Sequence, residues 1–177
     1  MSTNHLRFTI PQFPQFKISI HKFSNVTNAA EIKQNLLSGN QEYNFAFINS
    51  STIVSSEQLI AAIYRTLLDY TQDKIRTKTL HSEVIFSLSP TQNIMDSLKR
   101  FGIQDDSKEL VVINISENGA KDDYNLQIIS GEEVKVDDNE FAKTVDYKVI
   151  KKNYKFDSQD PELITRFIVN AIQLRGH

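Results

Sequence analysis

Leu110-Val111-Val112-Ile113-Asn114-Ile115 is apolar at five of six positions, with no alternation of apolar and polar side chains. A strand with one face in water alternates, whereas an uninterrupted apolar run needs cover on both faces. This segment therefore requires a central, buried strand, and the rest of the chain has to supply a layer on each side of it. With 177 residues, 40 % hydrophobic and 24 % charged, the chain is long enough for one domain with a real core and short for two. A single domain over residues 1–177 is expected.

The other segments read as strands interleaved with helices. Phe16 to Phe23 alternates well enough for a half-buried strand, Tyr43 to Ile48 and Glu83 to Leu88 read as short strands, and Val134 with Val136 marks an edge strand. Asn25 to Leu37 reads as a helix closed by Gly39. Ser55 and Gln58 have capping-box spacing before a helix whose Leu59, Ile60, Ile63, Tyr64, Leu67 and Leu68 form an apolar face. A weak helix is expected around Tyr124 to Ile129. Asp160-Pro161 opens a last helix, with Leu163, Ile164, Phe167, Ile168, Ala171 and Ile172 facing inward. Such interleaving gives an α/β or α+β domain, and the pattern alone leaves a mixed or an antiparallel sheet open.

Leu88 to Ile103 is punctuated like a short helix fixed at both ends. Pro90 suits a first helical position, Ser89 with Gln92 has capping-box spacing, and Asn93 with Asp96 offers a second start one turn later. Gly102 is expected to end the helix in the left-handed conformation, with Ile103 folding back onto Leu98.

Composition excludes several kinds of chemistry. The chain has no cysteine, so disulfides, thiol catalysis and thiolate metal sites are ruled out together. No apolar run approaches a membrane span, and the start of the sequence lacks the pattern of a secretory signal. The net charge is −2, but it is segregated: Ser116 to Glu140 holds eight acids and two lysines, and Phe141 to Lys155 holds five lysines and one aspartate. Both blocks read as solvated surface. The five glycines do not cluster into a phosphate cradle, and the four histidines show no short-spaced ligand pair. His81 beside Ser82 and Glu83, read on a strand, is not a triad. Asp105-Asp106, Asp122-Asp123 and Asp137-Asp138 sit in turn-like surroundings. No catalytic site, cofactor or metal is expected.

Two features remain for binding. Lys74-Ile75-Arg76-Thr77-Lys78 carries three cations in five residues, with Arg65, Tyr64 and Tyr70 nearby. If extended, Lys74, Arg76 and Lys78 fall on one side, at a spacing of about 6–7 Å that matches successive phosphates of a single strand. Neighbouring aromatics could stack bases. The same residues also suit a solubilising loop after a helix C-terminus. In the helix after Pro90, Ile94, Leu98 and Phe101 share one face. They read either as core or, with Asn93, Ile94 and Ser97 partly exposed, as an apolar patch that a partner approaches.

The Leu-Ser-Pro (88–90), Asn-Ile (93–94) and Phe-Gly-Ile (101–103) pattern and the 74–80 run resemble the PRPK-binding protein family, small accessory subunits of the KEOPS (EKC) complex. The resemblance runs from Pro11-Gln12-Phe13-Pro14 to Ala171–Gly176. It implies a mixed, largely antiparallel sheet with helices packed on it. It also implies a non-catalytic subunit that binds the PRPK-type atypical kinase and the acceptor end of tRNA, supporting threonylcarbamoyladenosine modification. Other KEOPS subunits would be reached indirectly. Matched to this sequence, Asn93, Ile94, Ser97 and Leu98 become the kinase-binding candidates, and Lys74, Arg76, Thr77 and Lys78 the tRNA-binding candidates. Cytoplasm and nucleus are the expected locations, and a telomere-related role is associated with such complexes. The rival reading is a small-molecule-binding regulatory domain or a hydrolase on the same scaffold, which would show a deep pocket with convergent polar groups.

Overall fold

The central pair of the sheet is β2 (Phe16–Ser24) with β4 (Leu110–Glu117), antiparallel from Phe16↔Glu117 to Phe23↔Leu110. β3 (Ala46–Asn49) pairs with the far edge of β4. β1 (Leu6–Phe8) and β5 (Glu132–Val134) share the far edge of β2, end to end. A computed structural model describes residues 4–120 and 123–174, and every strand pairing in it is antiparallel. Among the described residues, seven helices complete an α+β fold: α1 (Ala29–Leu37), α2 (Ser56–Thr71), α3 (Leu80–Leu88), α4 (Ile94–Phe101), α5 (Asp138–Thr144), α6 (Tyr147–Tyr154) and α7 (Pro161–Leu174).

Both faces of β4 are buried, as its continuous apolar run requires. Val111, Ile113 and Ile115 join Ile18, Ile20 and Ile48 beneath α2, α3, α4, α6 and α7, whereas Leu110 and Val112 pack with Phe23, Phe47, Ile32 of α1 and Ile129 on the other face. β2 is buried on both faces too, rather than half-buried as its alternation suggested, because α1 and residues 124–129 cover its second side. That 124–129 segment is irregular, not the weak helix expected.

Two further expectations are corrected. Glu83 to Leu88 is the body of α3, not a strand. A short helix buried on nearly every side has no polar face and so no 3.6-residue period to read. In α7, Ile164, Ile168 and Ile172 face the core, but Leu163 and Phe167 are 49 % and 38 % exposed. Phe167 stacks instead on Phe156, with ring centroids 4.4 Å apart.

α4 starts at its second candidate cap. Asn93 Oδ1 accepts the Asp96 amide (3.0 Å), and Pro90 lies in the preceding bend, where Ser89 Oγ accepts the Thr91 amide. Gly102 is extended (φ −79°, ψ 171°), not left-handed, and Ile103 crosses to the opposite side of the sheet, donating to Phe47 O. The glycine is needed for space: a Cβ there would sit 2.5 Å from Leu98 O. Gly102→Ala should therefore cost about 1–3 kcal/mol as backbone overpacking. Urea denaturation checks it, and an unchanged midpoint would contradict the assignment.

Lys22 is fully buried on the helix-covered side of β2, its Nζ 4.0 Å from Glu109 Oε2. Burial holds its pKa below the usual lysine value of 10.5, with Glu109 acting in the opposite direction. The cost to stability is fully present below the folded-state pKa and is relieved as pH rises from there toward the unfolded-state value. Lys22→Met should abolish that alkaline gain, as urea midpoints measured across the pH range would show.

Candidate functional site

The basic run is held in shape by a residue that its own sequence does not contain. Glu83, on the first turn of α3, has no exposed surface. Its carboxylate accepts the Arg76 amide at 3.0 and 3.2 Å and the Thr77 amide at 3.3 Å, and the Thr77 hydroxyl lies 3.2 Å away. A buried carboxylate needs such donors, and backbone amides supply them without a competing side chain. Upstream, α2 ends on Asp73 in the left-handed region (φ 55°), with Lys74 N donating to Asp69 O, a Schellman-type stop made without glycine. Downstream, Thr79 and Ser82 form a capping box for α3.

Held from both ends, the run displays its cations. Lys74, Arg76 and Lys78 are exposed and Ile75 and Thr77 half-buried, the sidedness expected of an extended segment. Arg76 also reaches over Phe86 (5.6 Å to the ring centroid) and donates to Gln92 Oε1 at 3.1 Å. Thr77 is turned toward Glu83, its hydroxyl 3.2 Å from the carboxylate and 3.1 Å from Thr79 O, and so helps position the loop. The flanking aromatics are committed elsewhere: Tyr64 packs edge-on against Phe13, and Tyr70 packs against Phe16 and donates to Glu117, whose negative charge holds the phenol above its usual pKa. Arg65 pairs with Asp69 and ties α2 to α7 through Gln173 O.

The Arg76–Gln92 bond joins this loop to the start of α4. Asn93 is exposed and spent as a cap, and Ile94 and Leu98 are half-buried. Ser97 is fully buried, donating to Asn93 O at 2.7 Å, so it presents nothing to a partner, contrary to expectation. Met95 is the residue that sequence reasoning passes over. It is 80 % exposed next to Ile94, because the apolar face of so short a helix is filled by Phe101 and Leu98.

The other polar candidates have structural roles. His81 Nε2 accepts the Ile115 amide (2.9 Å), which puts the proton on Nδ1, 3.0 Å from Asn44 Oδ1. His81 thus fastens α3 to β4 beyond the end of the β3 ladder. Asp137 caps α5, and Asp138 accepts the Ser56 amide and hydroxyl. Asp105 and Asp106 are exposed in a turn, and Asp122 lies outside the described residues, as do Arg175–His177. Two surface hollows, of about 530 Å³ lined by Lys148, Lys151, Lys152, Lys155 and Asp157 and of about 570 Å³ between α2, α5 and α7, include none of residues 74–78. No described helix is long and apolar enough to cross a membrane.

Residues 23–176 match the model of a family described as kinase binding protein CGI-121. An EKC/KEOPS complex subunit CGI121 of Yarrowia lipolytica is 42 % identical over 171 residues, covering 93 % of this chain and 98 % of its own length. The subunit of the same name from Kluyveromyces lactis is 41 % identical over 147 residues (82 % and 91 %), and that of Schizosaccharomyces pombe 36 % identical over 171 residues (95 % and 98 %).

If Glu83 organises the loop, Glu83→Ala should destabilise the protein by about 2–4 kcal/mol, since it strands two amides. It should also speed tryptic cleavage after Lys74, Arg76 and Lys78 under conditions where the protein stays folded. Unaltered resistance at those bonds would contradict the role.

Proposed function

Because the chain belongs to the CGI-121 family of kinase-binding proteins, we propose that it is the non-catalytic, kinase-binding subunit of an EKC/KEOPS complex. The PRPK-type kinase docks on the exposed edge of α4, and the acceptor end of tRNA lies along the 74–78 loop. Group transfer to the adenosine belongs to another subunit, in the cytoplasm and nucleus where such a complex works.

The observation that carries this reading is the adjacency of two unlike surfaces linked by Arg76 and Gln92. One is apolar, with Met95 as anchor and Ile94 and Leu98 beside it. Such a patch suits a protein partner, whose contacts concentrate on a few desolvated apolar anchors within a polar rim. The other is a fixed row of cations. It would add weak capture of an RNA end to contacts made by other subunits, raising effective concentration at the active site. Kinase and RNA can then bind together without competing. Neither of the two hollows closes over the basic loop, which favours this reading over a small-molecule domain.

A second kinase-docking face has its own support. Leu163 (49 %), Phe167 (38 %) and Leu174 (65 %) on α7 and Ile60 (39 %) on α2 are large exposed apolar residues. Paired substitutions separate the two. On the α4 reading, Met95→Glu and Ile94→Glu each weaken kinase binding at least about tenfold, the scale of an anchor residue, whereas Phe167→Glu leaves it intact. The reverse pattern, in variants that melt like the parent, moves the interface to α7. The double variant Lys74→Glu/Lys78→Glu should bind tRNA more weakly and bind the kinase normally. Its log–log salt dependence should be shallower by about 0.7 for each phosphate no longer neutralised. Unchanged tRNA affinity and slope would remove the loop from the RNA interface.

A further inference from the structure

The register of the sheet brings together two histidines that sequence spacing keeps apart. β1 covers residues 18–20 of β2 and β5 covers 22–24, so His21 falls in the gap between them. His5 immediately precedes Leu6, which pairs with Ile20, and so comes to lie across from His21. Asn4 fixes it there, donating from Nδ2 to Glu133 O (3.1 Å) and accepting the Val136 amide (3.1 Å). Glu133 pairs with Phe23, two residues from His21, and so shares its face of the sheet.

The resulting cluster is tight. The His5 and His21 rings stack with centroids 4.6 Å apart. Glu133 Oε2 is 3.2 Å from His21 Nδ1 and 3.9 Å from His5 Nδ1, and one potential ligand atom from each of the three residues lies within 4.8 Å of the others. The remaining nitrogen of His21, Nε2, is 2.7 Å from the Tyr124 hydroxyl.

We propose that His5, His21 and Glu133 bind a divalent transition ion of the zinc, cobalt or nickel type, with Tyr124 as its outer partner. Two imidazoles and a carboxylate suit such ions, whereas magnesium and calcium favour all-oxygen sites. Metal bonds of about 2.0–2.1 Å put neighbouring ligand atoms about 3.3 Å apart in tetrahedral geometry. Reaching that requires the His5 ring, whose side chain is 24 % exposed, to turn out of its stack on His21 so that both lone pairs aim at one point. His21 is 6 % exposed and fixed by the strand pairings on either side of it. When Nε2–H donates to Tyr124, the Nδ1 lone pair faces a carboxylate oxygen, and a cation between them satisfies both. A hydrogen bond on the far nitrogen is the usual outer contact of a metal-bound histidine. Arg7 is the opposing charge the site has to overcome. A bound ion would clip the segment before β1 to β2 and β5, across the 112 residues separating His21 from Glu133.

The test is a cobalt titration of the full chain, freed of metal and carrying no histidine tag. One equivalent of Co²⁺ should give intense visible d–d bands of a low-coordinate site, lost when Zn²⁺ is added, with a rise in melting temperature at saturation. His5→Ala and Glu133→Gln, both at accessible side chains, should each weaken binding at least about tenfold, and circular dichroism would show that they fold. A spectrum that stays that of aqueous cobalt, or binding that both variants retain, would overturn the site.

Discussion

A carboxylate with no exposed surface has to draw its hydrogen bonds from the protein, and Glu83 draws them from the amides of Arg76 and Thr77. That contact converts a run of three cations from a loose connection into a fixed display. α3 extends the same logic along its length. His81 holds the β4 backbone, Ser87 lies 3.0 Å from the Thr66 hydroxyl of α2, Phe86 lies under Arg76, and Leu88 O accepts the buried Tyr154 hydroxyl of α6 at 2.6 Å. Tyr154 in turn accepts from Gln58, whose other bonds close the start of α2. One short, almost wholly buried helix thus sets the positions of the sheet edge, the basic loop, and the helices around them.

The division of labour follows from this packing. The two central strands are covered on both faces, which leaves little apolar surface at the sheet for a partner. The large exposed apolar side chains sit instead on helices: Met95 on α4, Leu163, Phe167 and Leu174 on α7, Leu37 on α1 and Ile60 on α2. Because α4 follows α3 after a bend capped by Ser89 and Asn93, its exposed edge is held next to the loop that Glu83 organises. Adjacency of the apolar edge of α4 and the basic loop is therefore a property of the core.

Much of the architecture is legible in the sequence where periodicity has something to report. The continuous run at 110–115, the Ser55 and Asn93 caps and the Ile164, Ile168 and Ile172 stripe of α7 read correctly, because each reflects a local rule applied to residues in sequence. Reading fails where tertiary cover overrides it. A helix buried all round looks like a buried strand, which puts Glu83 on the wrong element and hides its reach back to Thr77. Gly102 suggests a left-handed stop, yet its constraint is a neighbouring carbonyl, which no cap motif encodes. At the site, the exposure of Lys74, Arg76 and Lys78 follows from alternation, whereas that of Met95 and the burial of Ser97 depend on how far α4 sinks into the core. His5 and His21 meet only through strand register, a long-range fact absent from any local spacing.

On the proposed function, one face carries two adjacent, non-overlapping surfaces, one for the kinase and one for RNA. The most direct measurement is an amide shift map of the ¹⁵N-labelled protein. It is recorded once with the kinase subunit and once with a short single-stranded RNA corresponding to a tRNA acceptor end. The RNA should move the amides of 74–78 while those of 94–98 stay in place, and the kinase should broaden 94–98 while leaving 74–78 sharp. Perturbation by the kinase confined to α7, or by the RNA anywhere but the loop, would contradict it.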